Sequence, residues 1–156
     1  MASSDNVVRA GFTPKYQDIP TLTTMLTYTY APPSSQKLPP RPYPHATLNH
    51  TAYSSGSSAL LYDPPIEEFS VVKTELKAKE AKATFEGVAG PSVVICTGGK
   101  GRISVGPKGE ECKTGYVFFV GAGAECVMEG EGNGEAFVTY KAFCDLEESK
   151  GANGAS

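Results

Sequence analysis

The chain has 156 residues, a formal net charge of −3, 12 prolines, 17 glycines and no tryptophan. This length is sufficient for one domain with a hydrophobic core and additional connecting segments. The slightly acidic balance argues against a nucleic-acid partner, which favours basic surfaces, and no apolar run approaches the ~20 residues of a membrane-spanning helix.

The first fifteen residues predict a turn followed by a short strand. Asp5 and Asn6 are typical turn residues because their side chains hydrogen-bond to nearby backbone. The β-branched pair that follows, residues 7–8, favours a strand, and Gly11 begins the segment that ends it. No basic region precedes an apolar stretch here, so we expect no secretory signal and a cytoplasmic protein.

Two positive charges accompany this strand. Arg9 lies within it, and its five guanidinium donors suit a carboxylate, a phosphate or an enediolate oxygen. Lys15 follows just past the turn as a second positive charge. Composition alone favours the interpretation of Arg9 as an exposed strand residue with a solvated head group, because surface charge is the default.

A helix is predicted next, with Asp18 as its N-cap and an end near Tyr28. Residues 31–58 contain six prolines and few aliphatic side chains, which predicts a long connection. Both histidines, His45 and His50, fall in this range, and their spacing without nearby Cys, Asp or Glu is poor for a metal site.

From Ala59 onward, short apolar runs alternate with turn residues, a spacing typical of a sandwich or barrel. The strands are expected at Ile66–Leu76, Ala83–Gly87, Ser92–Thr97, Gly101–Val105, Tyr116–Val120, Glu125–Glu129 and Glu135–Phe143. Seven or eight such strands make a small jelly roll. The four cysteines lack close pairs, so free thiols are expected (Cys96, Cys112, Cys126 and Cys144).

Three segments have a composition that fits more than one structure. Lys73–Lys82 has a helical composition, but its alternation with the preceding residues favours a strand, whose following charges are expected to form a solvated hairpin loop. The glycines at 97–101 are expected to form a tight hairpin rather than a phosphate cradle, because the next segment is strand-like, and the same holds for 130–134. The continuously apolar Tyr116–Val120 predicts a central strand buried on both faces.

The opening pattern M-A-x-S-D-N-x-V-R-A-G-x-T-P-K resembles the end of a signature of type I mannose-6-phosphate isomerases. The resemblance continues in later segments, at Leu22–Tyr30, Tyr62–Val71 and Thr114–Val120. It implies an all-β fold, a cupin-type jelly-roll β-sandwich preceded by a short strand–helix remnant of the catalytic lobe and a long Pro-rich connection. The implied domains are 1–30 (end of the catalytic cupin lobe), 31–58 (connection), 59–145 (carboxy-terminal jelly roll) and 146–156 (flexible tail).

The resemblance also implies an activity, the interconversion of mannose 6-phosphate and fructose 6-phosphate, which feeds GDP-mannose synthesis. Arg9 matches the signature arginine that is assigned to the active site, Lys15 is a candidate substrate-binding residue, and Asp5 and Asn6 are expected to shape the active-site turn. The family's zinc ligands lie upstream of this pattern and are not matched here. No histidine occurs after residue 50, so the jelly roll is not expected to be a metal cupin with a His-x-His motif.

The resemblance therefore predicts the carboxy-terminal third of an isomerase, which binds no zinc alone and needs the amino-terminal catalytic part to act on its sugar phosphates. Two alternatives remain: a free-standing, non-catalytic jelly-roll binding module, and a purely structural fragment.

Overall fold

The computed structural model describes residues 14, 16–27, 30–49, 56–66, 68–132 and 134–144. The chain divides into two compact units, Met1–Lys37 and Leu38–Ser156. None of the helices in these described ranges has the length and apolar character needed to cross a membrane.

In the first unit, helix α1 spans Ile19–Met25, and a short 3-10 helix spans Pro33–Gln36. Asp18 is the N-cap of α1, as predicted: its Oδ1 accepts a hydrogen bond from the Thr21 backbone N–H at 3.1 Å, and its Oδ2 accepts one from Thr21 Oγ1 at 2.7 Å. These bonds hold the pKa of Asp18 below its usual value. The helix ends at Met25, short of the predicted end, because Leu26 adopts an extended conformation.

The second unit is a sandwich of two antiparallel sheets. Its described strands are β1 (Arg41–Pro42), β2 (Ala46–Leu48), β3 (Ser58–Tyr62), β4 (Ser70–Leu76), β5 (Lys82–Phe85), β6 (Ser92–Gly98), β7 (Lys100–Val105), β8 (Lys108–Lys113), β9 (Val117–Val120), β10 (Cys126–Gly130) and β11 (Phe137–Phe143). The six-stranded sheet has the order β1-β3-β4-β11-β6-β9, and the five-stranded sheet has the order β2-β5-β10-β7-β8. The predicted all-β, jelly-roll class is confirmed.

All seven predicted strands are present, with ends shifted by a few residues. The strand interpretation of Lys73–Lys82 is confirmed, because β4 ends at Leu76 and the charged segment after it is a turn. The expected hairpin is not formed, because β4 belongs to the six-stranded sheet and β5 to the five-stranded sheet. Four strands were not predicted. β1 and β2 lie in the range interpreted as a connection, β3 is apolar but directly follows it, and β8 is too rich in charge to show an apolar pattern.

The glycine turn at 97–101 joins two strands, as predicted, but it does not form a hairpin. β6 belongs to the six-stranded sheet and β7 to the five-stranded sheet, so the chain crosses between the layers at Gly99. The segment after Gly130 also crosses between sheets, from β10 to β11. A glycine turn looks the same in sequence whether the next strand pairs with the first or folds over it.

Gly99 should be intolerant of a side chain for two reasons. Its φ is +68°, and an added Cβ would lie 2.4 Å from the Ala136 carbonyl oxygen. Gly106 has a similar φ of +56° but open space around it, which makes Gly106→Ala a matched control. We expect Gly106→Ala to lower the free energy of unfolding by about 1–2 kcal/mol, because alanine is strained in the left-handed region. Gly99→Ala should lower it clearly more, and urea unfolding measures both variants. Equal losses of stability in the two variants would show that the backbone near Ala136 moves away from the added Cβ at no energetic cost.

The strand β9 contradicts its prediction. It is the edge strand of the six-stranded sheet, not a central strand, and the Phe119 side chain is exposed while Val120 is buried. The error has a physical cause, since a continuous apolar run is typical both of a strand buried on two faces and of an edge strand with an exposed apolar face.

Candidate functional site

The residues predicted to carry chemistry, Arg9, Lys15, Asp5 and Asn6, all lie outside the described residues. Their roles therefore stay predictions. The first described element after them is the capped helix α1.

The space between the two sheets is the natural interior site of such a fold, because a small barrel is filled either by side chains or by one small ligand. Here large side chains from both sheets meet: Phe85 and Met128 from the five-stranded sheet, and Leu76 and Phe137 from the six-stranded sheet, all fully buried. Thr139 Oγ1 donates a hydrogen bond to Met128 Sδ at 3.1 Å and so links β11 to β10 across the layers. The interior is thus a packed core.

One cationic side chain lies within this core. Lys141 is 1% exposed, and its Nζ has no hydrogen-bond partner among the described residues. Nζ lies 5.3 Å from the ring centre of Phe85 and 6.0 Å from that of Phe143, so aromatic faces take the place of a counter-ion. Burial lowers the pKa of Lys141, because the charged form is poorly solvated there.

Lys141 is not among the residues predicted to carry chemistry, although the sequence of β11 indicates its position. The strand alternates with period two, and Phe137, Thr139 and Phe143 point into the sandwich, so Lys141 must do so as well. Lysine side chains are rarely fully buried in proteins, so a lysine at an inward-facing position of a strand is unusual.

Cys96, Cys112 and Cys126 are buried free thiols. Burial raises the pKa of Cys112 to about 12, with a further contribution from Cys96 beside it, and burial raises that of Cys126 to about 11. Because the thiolate is the reactive form, these buried thiols are suited to packing and not to nucleophilic chemistry.

The described residues do not fit a zinc site. Within these ranges no group of three or more His, Cys, Asp or Glu side chains could hold a metal ion. His45 instead pairs with Glu86, Nδ1 to Oε2 at 2.9 Å, on the exposed surface, and His50 lies outside the described residues.

The fold agrees with known structures. The chain is similar to the protein plu4264 from Photorhabdus luminescens (TM-score 0.51, 15% identity, covering 67% of this chain and 85% of that one). It is also similar to a cupin protein from Bacteroides fragilis (TM-score 0.50, 10% identity, covering 65% and 84%). At such low identity these likenesses show the cupin fold alone.

Sequence comparisons are more specific. Residues 59–108 match the family described as phosphomannose isomerase type I C-terminal. The chain is 68% identical over 146 residues to mannose-6-phosphate isomerase of Aspergillus fumigatus, and 44% identical over 145 residues to that of Saccharomyces cerevisiae. These matches cover 94% and 93% of this chain but 32% of each relative, so the chain spans about a third of their length. The resemblance seen in the sequence is thereby confirmed: the chain is similar to the carboxy-terminal portion of mannose-6-phosphate isomerases, and its residues 59–108 match the type I C-terminal family.

Proposed function

We propose that this chain acts as the carboxy-terminal domain of a cytoplasmic mannose-6-phosphate isomerase, which interconverts mannose 6-phosphate and fructose 6-phosphate. The observation that carries the proposal is the 68% identity to the Aspergillus fumigatus isomerase across 94% of the chain. Because the chain spans a third of that relative, the activity itself is proposed for the whole enzyme and not for this chain alone.

Within this proposal the described sandwich has a supporting role. Its interior is occupied by packed side chains, and the thiols of Cys112 and Cys126 are buried with raised pKa values. The zinc ligands that the family resemblance implies lie upstream of the opening pattern of this chain, so the zinc is proposed to be held by the part of the enzyme outside this chain.

The contribution of this chain to chemistry is proposed to come from its first fifteen residues. Aldose–ketose isomerisation moves a proton between adjacent carbons through an enediol, and negative charge develops on the sugar oxygens. The Arg9 guanidinium is proposed to stabilise that charge, because a fixed cation acts most strongly where charge grows in the transition state. Lys15 is proposed to help hold the sugar phosphate, and Asp5 and Asn6 to shape the turn that positions both.

The test joins this chain to the amino-terminal two thirds of the Aspergillus fumigatus isomerase and measures turnover of mannose 6-phosphate. We expect the joined protein to be active with zinc and this chain alone to be inactive. If the amino-terminal part were fully active without this chain, the proposal would fail, and the free-standing jelly-roll module would be the better interpretation.

A further inference from the structure

The outer surface of the six-stranded sheet is apolar where β6 and β9 pair. Val93 lies opposite Phe119 and Ile95 opposite Val117, and directly opposite residues project from the same face. The four side chains are 45%, 73%, 40% and 59% exposed, respectively. They form two adjacent rows of apolar groups in contact with solvent.

Both rows continue across the sheet. The register places Ala142 opposite Val93 and Tyr140 opposite Ile95, and the rows extend through β4 to β3. We call this surface the apolar face; its members are Leu60, Tyr62, Val71, Val93, Ile95, Val117, Phe119, Tyr140 and Ala142.

The single charged side chain within these rows, Lys73, is neutralised locally. Its Nζ donates to Glu75 Oε2 at 3.0 Å, and Glu75 also lies 3.6 Å from Lys77 Nζ. Glu75 belongs to the next row, opposite Ser58 and Val138, where the surface becomes more polar. An apolar centre bordered by paired charges is the arrangement expected of an interface.

The free edge beside this face is also unprotected. Among the described residues β9 pairs only with β6, and its sequence, VFFV, contains no charge. The equivalent edge of the five-stranded sheet is β8, KGEECK, in which four of the six residues are charged. Charged residues are a usual protection of an edge against further pairing, and β9 lacks it.

The size of the apolar face helps to identify what covers it. Two rows across five strands, with strands ~4.8 Å apart, give a footprint of roughly 300 Å². A freely associating pair of proteins usually buries about 800 Å² per partner. Interfaces between domains of one chain begin at roughly 600 Å² in total, or about 300 Å² per side, because covalent linkage supplies a high effective concentration.

We infer that the apolar face and the β9 edge pack against the amino-terminal two thirds of the isomerase, through an apolar, weakly charged surface of that part. This inference rests on the proposed function. The proposed partner of the apolar face is the part of the relatives that this chain does not match, about two thirds of the length of each. A second copy of this chain is disfavoured by the small footprint.

The test compares hydrogen exchange in the 156-residue chain alone and in the same chain joined to the amino-terminal two thirds of the Aspergillus fumigatus isomerase. We expect the amides of Val117–Val120 to exchange at least tenfold more slowly in the joined protein. The β8 edge, Lys108–Lys113, is the internal control and should be unchanged. Phe119→Lys should abolish the added protection of β9, whereas Ile66→Lys, at an exposed apolar loop residue, should preserve it.

The outcomes are separable because turnover is measured on the same joined protein. Normal turnover without protection of β9 would overturn the inference and leave the proposed function standing. A chain that sediments alone as a dimer, with β9 already protected, would assign the face to a second copy and also overturn it. An inactive joined protein would reject the proposed function, and the inference would fall with it.

Discussion

Arg9→Ala in the joined isomerase is expected to lower kcat by about 10²–10³-fold, with a smaller effect on KM. The reason is that a fixed cation beside the developing enediolate stabilises the transition state more than the ground state, and loss of one such donor typically costs about 2.7–4 kcal/mol. Steady-state turnover of mannose 6-phosphate at saturating substrate measures this directly.

Two further variants show whether the effect is specific. Arg9→Lys retains a charge but loses the planar fork of donors, so its kcat should be intermediate. Arg41→Ala removes an exposed arginine whose Nη2 donates to Asp63 at 2.7 Å, and turnover should not change. An unchanged kcat in Arg9→Ala would reject the catalytic role, and a raised KM alone would reassign Arg9 to uniform substrate binding.

Lys141→Met is expected to stabilise the chain by about 1–3 kcal/mol at neutral pH, the usual cost of an unsatisfied buried polar group. The Nζ group is buried with two aromatic rings as neighbours and no described hydrogen-bond partner. Ring distances of 5.3 and 6.0 Å are close to the limit of about 6 Å for a cation–π interaction, so this attraction compensates only partly for lost hydration. Methionine fills a similar volume without the charge. Urea unfolding measures the difference.

The stabilisation should depend on pH in a defined direction. Burial lowers the pKa of Lys141 in the folded protein below its usual 10.5, so the unfolded chain binds more protons between the two values. Stability of the wild-type chain therefore rises with pH through this window, and the advantage of Lys141→Met shrinks as pH approaches 10.5.

Lys100→Met, at an exposed position of β7, is the control and should change stability by less than about 0.5 kcal/mol at any pH. A loss of stability in Lys141→Met at neutral pH would mean that the ammonium group is better satisfied than its surroundings indicate.

The likeness of the first fifteen residues to the isomerase signature led directly to the family, and the comparisons confirmed it. For the candidate site, the sequence predicted which residues take part but not where they lie in the fold. The reason is that a family resemblance supplies the roles of residues and not their coordinates. The zinc ligands that the roles imply are not matched in this sequence.

Sequence by itself determined the features that depend on near neighbours. Asp18 caps α1 because its carboxylate reaches a backbone N–H three residues away, and the strands from 70 to 143, apart from the charged β8, follow from alternation and glycine turns. Only the tertiary structure decided which sheet each strand joins, that β9 lies at an edge with Phe119 exposed, and that Lys141 is enclosed between two phenylalanine rings. Strand pairing and burial are set by residues far apart in the chain, so a local pattern that fits two environments equally well is resolved only when the sheets pack together.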